Sequence, residues 1–375
     1  MTQTDSSPAR YPFAIIRERM RRCDDLLDFA FGSQRPSPPA HVVERIRREP
    51  ERIVRRAGPA LLEALRAQAA AMLQREYGVE VDPDAILPVP SGRAAIAGLA
   101  ATTLRAGDRI VVIEPVYPTI GHVAAGLGAQ VEPVWLRAEA GFLPEMEMLA
   151  PALRGARMCA LSFPNNPTGA VLPESMTAPA LGAMPGGVLF NDATYGPMTY
   201  HEPPRSLLAG LDSGGPPVVE LHILSKLYGL EGIGVAFIAG AREVIEPLRI
   251  YAEYACTPVS ELQAHVAIDC LADETALGQL RETYAMRMRR LGETLTQLGL
   301  HPYPAASGLY ILCPSPRQVA GRPAPSAWEA AHMLLDAFSL ATMPWAGPDG
   351  GWLRFSAMHT DADLERLAGL DLIHR

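Results

Sequence analysis

Lysine is almost absent from this chain of 375 residues. The sequence holds 32 arginines but a single lysine, Lys226. Arginine can replace lysine at most surface positions, but its guanidinium is effectively never deprotonated and cannot form an imine as a lysine amine can. A single lysine can also remain in a sequence by chance. The residues around Lys226 therefore have to indicate whether its amine has a chemical role.

Other scarcities argue against whole classes of protein. The first ten residues are polar and lack the apolar segment of a secretory signal, and no apolar run is long enough to span a membrane. The formal net charge is -8, and the short basic stretch 17–22 is interpreted as a solvated helix face, so nucleic-acid binding is not expected. The five cysteines are scattered without a CxxC pair, which favours a reduced cytoplasmic setting and argues against a zinc site.

Strand-like and helix-like segments alternate along most of the chain, which is typical of α/β proteins. Short continuous apolar runs suit strands that are buried on both faces of a mostly parallel sheet. The predicted strands are 109–113, 131–135, 158–162, 188–191, 218–224 and 235–239. Helices are predicted over 40–56 and 59–77, where apolar residues recur between Arg and Glu.

The chain is too long for one compact core of ordinary size, so two domains are expected. After about residue 285 the pattern changes to helices near 276–298 and 326–338, a proline-rich loop at 314–325 and a strand at 352–357. We predict an N-terminal arm that completes part of a small domain (1–48), a large domain (49–284) and a small α+β C-terminal domain (285–375).

Lys226 follows the apolar strand in "LHILSKLYGLEGIGVAF", and a glycine-spaced loop comes next. An amine at the end of a buried strand would be desolvated, which favours the neutral form that attacks a carbonyl carbon. The alternative is an ordinary solvated loop lysine.

A polar turn follows the strand at 158–162 in "SFPNNPTGAVL". Ligands bind at the carboxyl ends of strands in open α/β sheets, and an Asn amide there can donate to a phenolate-like oxygen. Asn-Pro and Thr-Gly are also common in turns that have no ligand.

Asp192 ends another apolar strand in "VLFNDATYGPM", with Tyr195 three residues later. A carboxylate at this place can pair with a protonated ring nitrogen and keep it charged. The alternative is a helix N-cap.

Two further motifs indicate anion binding. "PSGRAAIAGL" places Ser91-Gly92-Arg93 at the start of an apolar helix, whose free N–H groups suit a phosphate, although Ser91 as a helix cap explains the motif equally well. "WLRFSAM" places Arg354 in a strand, where it could bind a substrate carboxylate in bidentate fashion or form a structural salt bridge.

The order and spacing of "SGR", "EPVYP", "NNPTG", "NDATY", "SK" and "LRFS" resemble the fold-type I enzymes that use pyridoxal 5'-phosphate (PLP), specifically the class I and II aminotransferases. The resemblance runs from about Phe31-Gly32 to the C-terminus. It implies a PLP-dependent transferase-like large domain, an amino-acid substrate and a homodimer with sites at the subunit interface.

The resemblance also implies a role for each matching residue. Lys226 would carry PLP as a Schiff base and move a proton between the substrate α-carbon and the cofactor. The other implied contacts are Asp192 to the pyridine nitrogen, Asn166 and Tyr195 to the phenolic oxygen, Tyr117 stacked on the ring, Ser91, Gly92, Arg93 and Ser225 to the phosphate, and Gly32 and Arg354 to the substrate.

The sequence departs from the family at the phosphate. The family usually has Arg eight residues after the lysine and often Ser or Thr three residues before it, whereas this chain has Gly234 and Ile223. The tyrosine that a partner subunit usually lends is not found, although Arg55 and Arg56 lie in that region. These changes predict a remodelled phosphate site.

Three alternatives to an aminotransferase stay open. The same carbanion chemistry could serve β- or γ-elimination, replacement or ring closure on a specialised amino acid. A ligand-sensing module would need a fused DNA-binding domain, for which this chain has no room. A relative without cofactor is disfavoured because the only lysine stands where PLP would attach.

Overall fold

The computed structural model describes residues 12–33, 36–173, 184, 186–211, 214–347 and 351–372. Within these ranges the α-helices are α1 Pro12–Met20, α2 Ala40–Arg48, α3 Pro59–Tyr77, α4 Gly92–Thr103, α5 Thr119–Gly126, α6 Met146–Leu153, α7 Leu224–Leu227, α8 Arg242–Ala255, α9 Glu261–Ala272, α10 Ala276–Gln297, α11 Ala327–Phe338 and α12 Asp361–Ala368. Short 3-10 turns cover Pro50–Val54, Pro83–Ala85 and Leu207–Gly210.

The β-strands of the same ranges form one large sheet and three smaller ones. They are β1 Leu27–Asp28, β2 Ile86–Val89, β3 Arg109–Glu114, β4 Gln130–Trp135, β5 Met158–Leu161, β6 Val188–Asp192, β7 Val218–Ile223, β8 Ala236–Gly240, β9 Tyr310–Pro314, β10 Gln318–Val319, β11 Arg322–Pro323, β12 Leu340–Ala341, β13 Met343–Trp345 and β14 Trp352–Ser356.

The large sheet has the strand order β2-β8-β7-β6-β5-β3-β4. Strands β3 to β7 run parallel to one another, whereas β8 runs antiparallel to both β7 and β2. The prediction of an α/β fold with a mostly parallel central sheet is therefore confirmed. The six predicted strands correspond to β3 through β8. Strand β2 was not predicted, because Pro88 interrupts a run of only four residues and proline disfavours strand interiors.

Helix boundaries follow local chemistry. Helix α3 begins with proline as its first residue and ends at Gly78 in the left-handed conformation, φ +68°, both common boundary signals. The predicted helix 40–56 is interrupted, because Pro50 cannot continue α2 and starts a 3-10 turn. The predicted loop 314–325 contains the short antiparallel pair β10–β11.

The described chain divides into two compact units. The larger unit comprises residues 36–286 and 305–309 and contains the seven-stranded sheet. The smaller unit comprises 12–33, 287–304 and residues from 310 onward, with the antiparallel sheet β13-β14-β9. The domain boundaries predicted at 48/49 and 284/285 stay predictions.

Among the described residues, no helix combines the length and apolar character needed to cross a bilayer. No cluster of three or more His, Cys, Asp or Glu side chains in the described ranges is arranged to hold a metal ion. All five cysteines are free thiols.

Candidate active site

Three of the predicted motifs lie at one edge of the large sheet. The parallel strands β5, β6 and β7 are neighbours and end at Leu161, Asp192 and Ile223. The "NNPTG" turn, Asp192 and the lysine segment follow these three ends. The carboxyl edge of a parallel sheet is where open α/β proteins place ligands, so the fold gives the motifs a common site.

Lys226 lies in the single turn of α7 that follows β7. Its side chain is 40% exposed, and its Nζ atom forms an ion pair with Glu231, whose side chain is 32% exposed. The expectation of a desolvated amine is wrong for this structure, because the chain turns into α7 and moves Lys226 past the buried strand. Glu231, which sequence reasoning missed, is the resident partner of the amine.

The loop after Lys226 is held in a fixed conformation by side chains. The Ser225 hydroxyl donates to the carbonyl of Val235 (3.3 Å) and accepts from the N–H of Val235 (2.9 Å). Gln263 on α9 donates through Nε2 to the carbonyls of Ile233 (2.7 Å) and Gly234 (2.8 Å). Because these bonds engage the Ser225 hydroxyl within its own loop, its implied phosphate contact stays a prediction.

Gly234 has a backbone conformation that explains why arginine is missing there. Its φ is +67°, and a Cβ atom at this position would lie 2.7 Å from the Pro90 carbonyl oxygen. A side chain would therefore meet both backbone strain and a steric clash. The loop has no place for the arginine that the family usually carries.

We expect Gly234→Ala to destabilise the protein by about 1–3 kcal/mol, because left-handed strain and the clash with Pro90 add together. Gly232→Ala is the matched control, since a Cβ at Gly232 meets no atom within 4 Å. Urea unfolding of both variants measures the difference. Equal stability of the two variants would contradict the steric explanation.

Ile223 packs against the start of α4. A Cβ on Gly92 would lie 2.2 Å from Cδ1 of Ile223, so an apolar side chain fills the space beside the first helical residue. Ser91 is the N-cap of α4 and accepts from the N–H of Ala94 at 3.2 Å. The capping role proposed as an alternative for Ser91 is present, and the start of α4 also has the positive end of the helix dipole, which suits an anion.

Arg93 and Tyr117, predicted to bind the phosphate and the ring, are close to each other. An Nη2 atom of Arg93 lies 3.5 Å from the Tyr117 hydroxyl. Arg93 is the second residue of α4, so its cationic side chain is attached at the N-terminal end of the helix, where the helix dipole attracts anions.

The two asparagines of the "NNPTG" turn differ in role. Asn165 is 2% exposed; its Nδ2 donates to the carbonyls of Pro115 and Ser162, both at 3.1 Å. Its Oδ1 accepts from the N–H (3.0 Å) and hydroxyl (2.8 Å) of Thr168. These bonds use both donors and the acceptor of Asn165 to build the turn. Asn166, the next residue of the turn, is 8% exposed, and its implied contact with the phenolic oxygen stays a prediction.

Asp192 ends β6 and caps a turn rather than a helix. Its Oδ1 accepts from the N–H (3.2 Å) and from the hydroxyl of Thr194. Burial raises the pKa of Asp192, while the bonds from Thr194 and the nearby imidazole of His222 act in the opposite direction. Tyr195 follows in the same turn and is 4% exposed.

A buried polar network behind this edge was not predicted. Glu220 on β7 is 0% exposed, and His222 two residues later is 2% exposed. Glu220 Oε2 lies 3.5 Å from Nε2 of His222, and Glu220 accepts hydrogen bonds from Asn191, Ser206 and the Leu207 N–H. The His222 ring stacks on Phe237 with centroids 4.9 Å apart.

Arg354 belongs to the smaller unit and lies in the middle of β14. It is 2% exposed, donates through Nη2 to the Ala30 carbonyl (3.0 Å), and its Cζ lies 3.8 Å from the ring centroid of Tyr310. Gly32, in the same unit, has φ +94°, and a Cβ there would lie 2.4 Å from Cβ of Met358. Backbone conformation and packing thus account for the glycine, while the substrate contacts of both residues stay predictions.

The aminotransferase class I and II family model matches residues 25–369, which is nearly the whole chain. The chain belongs to the class I and II aminotransferases. Members of this class depend on PLP, so this aminotransferase uses PLP as its cofactor and acts on an amino acid.

Individual relatives agree with this assignment. The aminotransferase is 26% identical to an LL-diaminopimelate aminotransferase of Dehalococcoides mccartyi, over 94% of this chain and 92% of that protein. It is also 26% identical to an L-glutamine–4-(methylsulfanyl)-2-oxobutanoate aminotransferase of Bacillus subtilis, over 80% of this chain and 77% of that one. A mutant of the Thermus thermophilus aspartate aminotransferase has the same fold, with a TM-score of 0.84 and 24% identity over 98% of each chain.

The larger unit of this aminotransferase fits PLP at several points. Burial raises the pKa of Asp192 because it disfavours the ionised carboxylate. A protonated ring nitrogen beside Asp192 would supply a positive charge that stabilises this carboxylate. The first turn of α4 offers backbone donors for a phosphate. Lys226 offers the one side-chain amine of the protein.

Proposed function

We propose that amino-group transfer takes place at the carboxyl edge of β5, β6 and β7, with Lys226 as the residue that holds PLP and moves the proton. The observation that carries this assignment is the position of the only lysine, directly after β7 and one strand from Asp192. Beside 32 arginines, Lys226 is the one basic side chain that can form an imine.

The substrate is an α-amino acid whose amino group would pass to the cofactor, while water supplies the carbonyl oxygen of the keto acid that leaves. An acceptor keto acid would then take up the amino group by the reverse sequence. When bound, PLP supplies an electron sink for the pair left on the substrate α-carbon. Lys226 takes the proton from this carbon on its Nζ atom and returns a proton to the other side of the transferred nitrogen. Glu231 contacts the same Nζ atom and holds the amine at the edge of the site while it is free.

The other residues bind and orient. When PLP is bound, the Asp192 carboxylate would keep the ring nitrogen protonated, and Asn166 and Tyr195 would donate hydrogen bonds to the phenolic oxygen. Tyr117 would hold the ring. Arg354 would bind the substrate carboxylate with its planar fork of donors, and Gly32 is the second position that the resemblance assigns to the substrate.

Elimination, replacement or ring closure on the same carbanion is the second candidate. The altered phosphate region favours it, because Gly234 and Ile223 both differ from the residues that the family usually has there. Incubating amino acids with the enzyme, with and without a keto-acid acceptor, separates the two. Transfer is supported by a new amino acid that appears only when the acceptor is present. Turnover to a keto acid, ammonia or a cyclic product without any acceptor would overturn transfer in favour of the second candidate.

A different arginine should compensate the phosphate charge. PLP phosphate is close to a dianion, and charge-assisted hydrogen bonds are roughly twice as strong as neutral ones. Arg93 opens the helix that Ser91 caps, so we expect Arg93→Ala to loosen PLP binding more than it slows the saturated enzyme. Titration of the apo-protein with PLP measures this.

Arg55 and Arg56 from a partner subunit are the competing candidates for the phosphate. The Arg55 side chain is 58% exposed and lies 4.0 Å from Glu261. Loss of PLP binding in the double Arg55/Arg56 alanine variant, with wild-type affinity in Arg93→Ala, would assign the phosphate to these residues. If the Arg93→Ala variant and the double Arg55/Arg56 variant both bind PLP with wild-type affinity, then no arginine of this group compensates the phosphate charge, and the argument for a replacement arginine is wrong.

We further propose a homodimer and a cytoplasmic location. The homodimer rests on the family resemblance; the described surface of the larger unit also carries exposed apolar side chains, with Val54 84% and Tyr254 89% exposed. The cytoplasmic location rests on five free cysteines.

A further inference from the structure

The Asn191 side chain extends the contact between β5 and β6 beyond the last paired residues of the two strands. Strand pairing ends with Leu161 of β5 beside Asn191 of β6. Further along the chain, Oδ1 of Asn191 accepts from the N–H of Phe163 (2.8 Å), and Nδ2 of Asn191 donates to the Phe163 carbonyl (3.0 Å). A carboxamide has the donor and the acceptor of a peptide group, so Asn191 binds Phe163 as a neighbouring strand would.

Every polar atom of the Asn191 amide is engaged, which fixes its orientation. Oε1 of Glu220 accepts the second hydrogen of Nδ2 (2.8 Å) and also the N–H of Leu207 (2.8 Å). Oε2 of Glu220 accepts from the Ser206 hydroxyl (2.5 Å). Because Asn191 and Glu220 are 1% and 0% exposed, the loss of one of these bonds would leave a buried group unsatisfied.

The "NNPTG" turn begins two residues after Phe163 and is closed by its own backbone bonds. The N–H of Asn165 donates to the Ala170 carbonyl, and the N–H of Gly169 donates to the Asn165 carbonyl, both at 2.8 Å. These bonds fix the internal shape of the turn. The position of Asn166 relative to β6 therefore depends on how the segment is held at Phe163.

Asn191 directly precedes Asp192 in β6, so one strand end holds two elements of the proposed site. We propose that Asn191 and Glu220 are positioning residues that hold the "NNPTG" turn against β6 and so set the separation between Asn166 and Asp192. The proposal rests on the roles given to Asn166 and Asp192 under the proposed function. The phenolic oxygen and the pyridine nitrogen belong to one rigid ring, so their protein partners must be held at a matching separation.

The first test is Asn191→Leu, which keeps a side chain of similar size and removes the amide. Hydrogen exchange of the apo-protein should become faster in the segment 163–170, because the Phe163 backbone loses its partner. PLP affinity should fall about threefold to tenfold, which is what one net hydrogen bond contributes. The pH at which the absorbance of the bound cofactor changes should shift in the same direction as in Asn166→Ala, because both variants weaken the contact with the phenolic oxygen.

Ser206→Ala is the matched control. It removes a hydrogen bond from Oε2 of the same Glu220, but leaves the bonds of Oε1 to Asn191 and Leu207 in place. We expect it to lower the free energy of unfolding without changing hydrogen exchange in 163–170 or the pH profile of the cofactor absorbance. An equal shift of this profile in Ser206→Ala and Asn191→Leu would show a general loss of stability and overturn the positioning role.

The second test compares two changes at Glu220. Glu220→Gln keeps an oxygen that can accept from Asn191 and Leu207, whereas Glu220→Leu removes it. If Glu220 acts by orienting the Asn191 amide, Glu220→Gln should keep the wild-type pH profile and Glu220→Leu should behave as Asn191→Leu does. Equal impairment of the two variants would show that the negative charge matters rather than the hydrogen bond, and would overturn the proposal.

Asn166→Ala distinguishes failure of this proposal from failure of the proposed site. Wild-type PLP affinity and pH profile in Asn166→Ala would remove Asn166 from the site, whatever Asn191→Leu does. An altered profile in Asn166→Ala, with a wild-type profile in Asn191→Leu, would overturn only the positioning role. If Asn191→Leu does not fold, hydrogen exchange of the wild-type protein decides: a Phe163 amide as protected as those of β6 supports the proposal, and exchange at the rate of an exposed loop overturns it.

Discussion

Lys226→Ala is expected to abolish covalent attachment of PLP. Wild-type protein should be yellow, and borohydride reduction followed by peptide mapping should place the pyridoxyl group on Lys226. The variant has no other side-chain amine, so no reducible link to a side chain can form. Because the same residue moves the proton, turnover should fall by about 10³-fold or more.

Two control variants separate chemistry from folding. Lys226→Arg keeps the positive charge beside Glu231 but cannot form an imine, so it should lose the covalent link as completely as the alanine variant. Glu231→Gln removes the ion pair and keeps the amine, so it should retain the link. Both ion-pair partners are well exposed, and breaking such a pair costs little stability. A reducible link mapped to any residue of Lys226→Ala would eliminate the assignment.

Arg354→Ala should weaken binding of the amino-acid substrate without affecting PLP attachment. Arg354 is 2% exposed and lies against Tyr310, so a substrate carboxylate would meet its guanidinium with little water between them. Removing one partner of a buried, hydrogen-bonded charge pair costs about 2–5 kcal/mol, which corresponds to roughly 30-fold or more in affinity. Titration of the holoenzyme spectrum with the substrate measures the loss.

Arg354→Lys tests whether the planar fork matters. It keeps the charge but has a single ammonium group, so it should recover only part of the affinity. Trp345→Phe is the control for the aromatic surroundings, because the Trp345 ring lies 5.2 Å from the guanidinium and a smaller ring leaves the charge in place. Unchanged substrate affinity in Arg354→Ala would show that another group binds the carboxylate.

The strands of the large sheet were predictable because each is a continuous apolar run, and the motif residues were predictable because they follow those runs. The choice between Asn165 and Asn166 was suggested by family resemblance alone. The structure shows only that the Asn165 amide is bonded to Pro115, Ser162 and Thr168, and the role of Asn166 stays a prediction. Which amide builds a turn depends on backbone geometry that residue types do not encode locally.

The Glu220 network could not be predicted in the same way. A single glutamate inside the apolar run "VVELHI" gives no periodic signal, and its partners Asn191 and Ser206 come from separate segments. The sheet register places Asn191 beside Glu220, and Ser206 comes from the turn before Leu207–Gly210. The expected desolvation of Lys226 failed for a related reason. The sequence "ILSK" contains no signal for the strand-to-helix turn at this point. That turn places the Lys226 amine in a more exposed position than the end of the strand would.

The conformation of Gly234 makes the loss of the family arginine difficult to reverse. A mutation that restored Arg at this position would add a side chain to a backbone at φ +67°, facing the Pro90 carbonyl, while Gln263 holds the adjacent carbonyls. Recovery would require the loop, Gln263 and the Pro90 segment to change together, and each intermediate would carry the strain without the benefit. Evolution or engineering can therefore improve phosphate binding here more easily by adding a cation elsewhere than by reverting this residue.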